Sequence, residues 1–297
     1  MAELTSLDAA TLAKLAGVKL RARAVMEGVL SGLHKSPHQG QSVEFSEHKE
    51  YAPGDELRHL DWKAFGKFDR YYVKRYEHET NLKATLVVDA SGSMGYRSGP
   101  LSKLEVATTL AGTLAYLLVR QQDAVGVSVV TRAGSADVPP RAAAGHLHTV
   151  LDALDTLQPA GGTDLFAAAD HLAERVRRGQ LVAVFSDLFD DRDEALGRIL
   201  ALRARRNDLA VFHVLDPAEL EFPFDDPTLF LSLEDERRIE VNAREIRESY
   251  LEEFRAFLDR TRATCAEADV DYTLVRTDEP LDAVLLRFLG RRQRRAA

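Results

Sequence analysis

Apolar residues alternate between two spacings along most of this chain. From Leu82 to Val88 they form a short continuous run, bounded by charge before it and by Asp-Ala-Ser-Gly-Ser after it, the text of a strand buried on both faces. Ser102-Lys103-Leu104-Glu105 then has the pattern of a capping box. Leu104, Ala107, Thr108, Ala111, Ala115 and Leu118 follow at the spacing of one helix face. Strand-like runs return at Ala124 to Thr131, Leu181 to Ser186 and Leu209 to Leu215. Helical spacing fills the intervals, at Leu147 to Leu157, Leu165 to Arg178 and Asp193 to Arg206, with a turn predicted at Arg132 to Ser135. Beyond Pro217 comes an acidic loop, then a strand pair near Leu229 to Leu233 and Arg238 to Val241. A long helix from Ala243 to Glu267, a strand at Tyr272 to Val275 and a helix from Pro280 to Leu289 complete the pattern. Alternating strands and helices imply an α/β fold, a mostly parallel sheet of about six strands with helices on both faces.

Residues 1–81 do not share this alternation. They offer one amphipathic helix, from Leu7 to Ala16 and extending toward Leu33, then a stretch dense in charge and aromatics that includes Phe45, Tyr51, Trp62, Tyr71 and Tyr76. Short strands and turns packed on the main sheet are expected there. The expected organisation is therefore an N-terminal helix-and-strand segment over 1–81, an α/β domain over 82–290 and a basic tail over 291–297.

The chain has 297 residues, 45% hydrophobic and 29% charged, the balance of a soluble globular protein. Its formal net charge of −8 opposes broad attraction to nucleic acid or to an anionic membrane surface. The single cysteine, Cys265, allows no intramolecular disulfide and reads as a core residue on the long helix. The longest apolar run, Thr109 to Val119, is too short to cross a bilayer, and the first residues lack the pattern of a signal peptide. A cytoplasmic protein without a transmembrane segment is expected.

Candidate chemistry gathers at the loops that leave the strands. Asp89, Ser91 and Ser93 alternate in the loop after the first strand of the α/β region, so their side chains can converge on one point. Such loops open onto the crevice beyond the carboxyl ends of a parallel sheet, where ligands sit. Two further loops at that edge bring Thr163, in Gly161-Gly162-Thr163-Asp164, and Asp187, in Ser186-Asp187. Two carboxylates and three hydroxyls suit a hard cation such as Mg²⁺, which prefers oxygen ligands and keeps some of its water. Asp89, Ser91, Ser93, Thr163 and Asp187 are the expected metal ligands, for Mg²⁺ or Mn²⁺.

The set Asp89-Ala90-Ser91-Gly92-Ser93, Thr163 and Asp187 resembles the metal-ion-dependent adhesion site of von Willebrand factor A-like domains. The upstream text resembles a bacterial family known as domain of unknown function 58. It is carried by Glu44-Phe45, by Tyr51-Ala52-Pro53-Gly54-Asp55-Glu56-Leu57-Arg58-His59-Leu60-Asp61-Trp62-Lys63, and by Val73-Lys74 with Glu77 and Glu79. Lys49 and Lys67 stand where arginine is usual in that family, and Gly66 where alanine is usual. The resemblance implies a von Willebrand factor A-like α/β domain that binds a protein partner through its metal, with the partner supplying an Asp or Glu. It also implies a MoxR-type AAA+ ATPase as partner.

Blander readings stand beside these. Thr163 or Asp164 would serve as a helix cap, as would Asp187 or Asp190, and each taken singly is better explained that way. It is the set of three loops at one sheet edge that points to a metal. The Asp61-Trp62 pair reads as a turn followed by a packed tryptophan, and the run Arg291-Arg292-Gln293-Arg294-Arg295 as a solvated tail. The rival function is a Mg²⁺-dependent phosphatase or phosphotransferase with Asp89 as nucleophile. It lacks a second acid two residues on, where Ser91 stands, and a lysine to offset phosphate charge. Gly92, Gly95 and Gly99 match no nucleotide-binding loop, and Ser93 is in no Gly-x-Ser-x-Gly elbow. The expectation is a binding module and not an enzyme.

Overall fold

The computed structural model describes residues 8–35, 48–50, 72–74, 82–131, 134–143, 145–162, 164–190, 192 and 194–296. The chain divides into two compact units, one made of Met1–Leu33 with Leu82–Ala297 and the other of His34–Asn81. In chain order the helices are α1 (Ala9–Ala13), α2 (Gly17–Lys35), α3 (Lys103–Arg120), α4 (His146–Asp155), α5 (Leu165–Arg175), α6 (Ala195–Leu200), α7 (Pro217–Glu221), α8 (Ala243–Glu267) and α9 (Leu281–Ala296). The strands are β1 (His48–Glu50), β2 (Tyr72–Lys74), β3 (Lys83–Asp89), β4 (Ala124–Thr131), β5 (Gly134–Arg141), β6 (Leu181–Ser186), β7 (Asp208–Leu215), β8 (Pro227–Leu231), β9 (Arg238–Asn242) and β10 (Asp271–Arg276).

The larger unit is built on a six-stranded sheet in the order β10-β7-β6-β3-β4-β5. Every neighbouring pair is parallel except β4 with β5. The order reverses at β3, which has β4 on one side and β6 on the other, so the crevice beyond its carboxyl end lies at the topological switch point. This is the mostly parallel α/β architecture of six strands that the alternating pattern predicts.

Successive residues of each strand feed opposite cores, which is why these strands read as unbroken apolar runs. Leu86, Val88, Ala183, Phe185, Ala210 and Phe212 face one core with α2, α3, α4 and α9. Val87, Val182, Val184, Leu209 and Val211 face the other with α5, α6 and α8, where Cys265 is fully buried. Among the described residues no helix is long and apolar enough to cross a membrane.

Three predicted features differ. The helix predicted from Leu7 is two helices, and Leu12, Val18, Val25 and Val29 pack into the core of the sheet's own unit. The other unit therefore begins at His34, after these helices, and ends at Asn81. In that second unit β1 and β2 pair antiparallel, His48 opposite Lys74, and the Tyr51–Lys63 text lies outside the described residues. β5 begins at Gly134, inside the predicted turn of Arg132 to Ser135, and is an edge strand that carries Pro139 and Pro140. Proline is tolerated there because an edge need not donate on its outer side. The arginine run is no tail: α9 continues to Ala296, with Arg292 on Asp208 and Arg295 on Asp271 at 2.7 Å.

Candidate metal centre

Asp89 is the last residue of β3, the central strand, and is 1% exposed. One carboxylate oxygen, Oδ1, accepts the Ser91 N–H at 2.9 Å and the other accepts the Ser186 hydroxyl at 2.7 Å, tying the ends of β3 and β6 together. Beyond Ala90 the chain turns, and Ser91 opens a single 3-10 turn over Gly92–Gly95. The turn sets the Ser91 and Ser93 hydroxyl oxygens 3.1 Å apart. Neighbouring ligands of an octahedral Mg²⁺ shell, at about 2.1 Å from the ion, stand about 3.0 Å from each other.

Asp187, next after β6, is fully buried. Its Oδ1 accepts the Phe189 N–H at 3.2 Å and its Oδ2 accepts Lys103 Nζ at 2.8 Å. Lys103 is itself fully buried and donates equally to Glu219 Oε1 at 2.6 Å. The Asp187 carbonyl accepts the Nε2–H of buried His213 at 2.8 Å, which leaves His213 Nδ1 to accept the Tyr272 hydroxyl. This network holds His213 as one neutral tautomer.

Thr163 lies outside the described residues. Its loop is placed at the site by its neighbours: Gly92 N–H donates to the Gly161 carbonyl at 2.7 Å, and Ala160 N–H to the Ala90 carbonyl at 3.0 Å. Gly92 has no room for a side chain, since a Cβ there would overlap the Leu233 carbonyl from the turn between β8 and β9. The capping reading holds for Asp164, whereas Asp190, read as a cap of the helix that follows it, turns back to the start of α5. Asp164 caps α5 through Ala167 N–H, and Asp190 accepts the Leu165 N–H at the start of that helix. Asp187 caps no helix.

Burial, reinforced by the charge of Asp187, pushes the Asp89 carboxyl up to about 7, against the hydrogen bonds of Ser186 and Ser91. Burial likewise raises Glu219, opposed by Lys103. For Lys103 burial disfavours the charge, but Asp187 and Glu219 outweigh it and hold the ammonium above its ordinary value. Lys103 pairs with Asp187 and Glu219, while Asp89 feels the charge of Asp187 and has no ion pair among the described residues. With all three carboxylates ionised the cluster carries a formal surplus of two negative charges, which a divalent cation would balance. Among the described residues no three carboxylate, imidazole or thiolate groups converge on one point. A cation here therefore depends on the Ser91 and Ser93 hydroxyls and on water, the donor set of a hard ion.

Lys103, with its partner Glu219, is part of this cluster that the sequence reading missed. The signal was present: a lysine at the first position of α3, at the positive end of the helix dipole, is electrostatically out of place unless acids wait for it. It supplies the lysine whose absence counted against a phosphatase, but it is sealed from solvent and committed to two carboxylates.

The mouth of the site is a cleft of about 480 Å³ lined by Ser93, Tyr96, Phe189, Glu219, Leu233 and Glu234 among others. Ser93 is the candidate ligand that reaches it.

The family model described as "Protein of unknown function DUF58" matches residues 47–259. The uncharacterized protein Rv1480 of Mycobacterium tuberculosis is 29% identical over 219 residues, covering 73% of this chain and 68% of its own. Among solved structures, the conserved hypothetical protein BatB from Bacteroides thetaiotaomicron superposes with a TM-score of 0.46 at 16% identity, over 72% of this chain and 99% of BatB. The SpRpn10 VWA domain does so with a TM-score of 0.41 at 10% identity, over 69% of this chain and 94% of its own.

Proposed function

The chain belongs to the DUF58 family, and from that premise we propose that it is a metal-dependent protein-interaction module, not an enzyme. The observation that carries the reading is the juxtaposition at the switch point. Asp89 and the paired hydroxyls of Ser91 and Ser93 leave β3 beside Asp187 at the end of β6, with negative charge in excess. Asp89, Ser91, Ser93 and Asp187, with Thr163 from the neighbouring loop, would hold Mg²⁺ or Mn²⁺, directly or through water. The bound ion would supply a positive point that an Asp or Glu of the partner can ligate.

The protein's own residues do the positioning. Ser186 fixes one oxygen of Asp89, and the Phe189 N–H and Lys103 fix both oxygens of Asp187, so neither carboxylate needs to reorganise when a partner arrives. Lys103 and Glu219 link this centre to the start of α7, giving partner binding a route to the cleft wall. The family resemblance supports a MoxR-type AAA+ ATPase as the partner, in the assembly or maturation of protein complexes. A Mg²⁺-dependent phosphatase is the second reading, favoured only by the proximity of Lys103 to Asp187; the burial of that lysine argues against contact with a phosphate.

The test is the affinity of the purified chain for a MoxR-type ATPase with Mg²⁺ and with a chelator, alongside a phosphatase assay. Binding that weakens at least about tenfold in chelator or in Asp89→Ala, without turnover, is the expected result. Equal affinity in both conditions would remove the metal from the function, and metal-dependent turnover lost in Asp89→Ala would make the protein an enzyme.

A further inference from the structure

The six-stranded sheet ends at β10, three strands from β3, and among the described residues β10 pairs with β7 alone. The other edge is the floor of a cleft of about 610 Å³, walled by α8 and α9. Five arginines line it: Arg262 from α8 and Arg287, Arg291, Arg294 and Arg295 from α9. On a chain of net charge −8 this is a concentrated reversal of sign.

The direction of the edge's backbone groups follows from its two ends. Thr277 N–H donates to the Leu215 carbonyl, toward β7, whereas Arg276 N–H donates to the Glu279 carboxylate, away from it. Backbone groups of successive strand residues alternate between the two sides, so Tyr272 and Leu274 turn their N–H and C=O toward the cleft with Arg276. Among the described residues the floor is thus an unpaired ladder edge.

The arginines are unevenly satisfied. Arg262 pairs with Asp259, Arg287 with Glu279, and Arg295 with Asp269 and Asp271. Arg291 and Arg294 have no ion pair among the described residues. Arg291 donates to the Thr273 hydroxyl, but its Nε is buried with no hydrogen-bond partner. Burial and the crowding of Arg287, Arg294 and Arg295 together depress its charged form, with Asp271 as the counterweight. A buried guanidinium donor without an acceptor is costly unless something else supplies one.

We propose that this cleft takes an extended acidic segment of a partner polypeptide, added as a strand along the free edge of β10 with its carboxylates on Arg291 and Arg294. A peptide satisfies both features of the cleft at once, the outward main-chain groups by ladder hydrogen bonds and the guanidiniums by alternate side chains. A nucleic acid would satisfy only the second, against the negative field of the whole chain. The competing account is that the arginines merely guard an edge strand against aggregation.

The test uses the full chain and a labelled peptide of about eight residues alternating Asp and Val, long enough to cover β10. An oligothymidylate of equal charge is the comparison. Saturable peptide binding is expected, with slowed amide exchange at Tyr272 and Leu274. The double variant Arg291→Gln, Arg294→Gln should weaken it about tenfold, the loss of two charge-assisted contacts. Arg294→Gln alone, on an exposed side chain, should weaken it severalfold with the melting temperature unchanged. No saturable binding by the wild-type chain would leave the arginines as edge guards. Equal binding of the oligonucleotide, or binding without protection of the two amides, would also overturn the proposal. So would self-association that buries this edge and excludes the peptide.

Discussion

Lys103 and His213 show what the candidate site costs the fold. Replacing Lys103 by Met leaves Asp187 and Glu219 buried against each other without their cation, and breaking a buried pair in this way costs about 3–5 kcal/mol. Denaturant unfolding of Lys103→Met should show that loss, and a second change, Glu219→Gln, should recover part of it. His213 works through protons. Burial lowers it to about 4 from an ordinary value near 6.5, so the unfolded chain binds the proton first as pH falls. Its contribution is fully present above about 6.5 and is lost as pH falls toward about 4, on the order of 3 kcal/mol at most. Stability measured across that window should fall less steeply in His213→Gln than in the wild type. Asp89 has the opposite slope: its raised carboxyl favours the metal-free fold at low pH, and that advantage is lost as pH rises through about 7. His213→Gln and the wild type must therefore be compared at fixed metal. At this scale the sequence was informative where chemistry is encoded by spacing, as in Asp89, Ser91 and Ser93. It was silent where a partner comes from elsewhere in the chain, as Glu219 comes to Lys103 across 116 positions.

Among elements, the buried strands were readable because a short apolar run flanked by turn residues fits little besides a strand covered on both faces. Ala124–Thr131 and Leu181–Ser186 form over the residues predicted. β5 was not readable: Gly134–Arg141 has Val138 as its one large apolar residue and two prolines, and it is held by pairing with β4. Its close approach requires Gly126, where a Cβ would overlap the Val138 carbonyl. The last turns of α9 were equally hidden, because their arginines are anchored by Asp208, Asp269 and Asp271 from distant loops and strands. The β8–β9 hairpin carries its apolar residues on both faces. Phe230 packs on Phe222 and Phe224, while Leu229 and Leu231 are 53% and 64% exposed. Phe230→Ala should cost about 2–3 kcal/mol in denaturant unfolding, whereas Leu229→Ser and Leu231→Ser should each change stability by less than about 0.5 kcal/mol.

For the whole molecule, the order β10-β7-β6-β3-β4-β5 explains why residues 89, 91, 93 and 187 meet although a hundred positions separate the ends of that set. β3 and β6 are neighbours, so the loops that leave them share one crevice, and the sequence alternation alone implied as much. It did not reveal that α2 belongs with the sheet, since an amphipathic helix does not announce which core it covers. The proposed function rests on this crevice holding a divalent cation on Asp89. Calorimetric titration of Mg²⁺ and Mn²⁺ into the purified chain and into Asp89→Ala tests it most directly. Saturable heat is expected in the wild type and should disappear in the variant while its fold persists by circular dichroism. The absence of saturable heat in the wild type, or equal heat in both proteins, would contradict it.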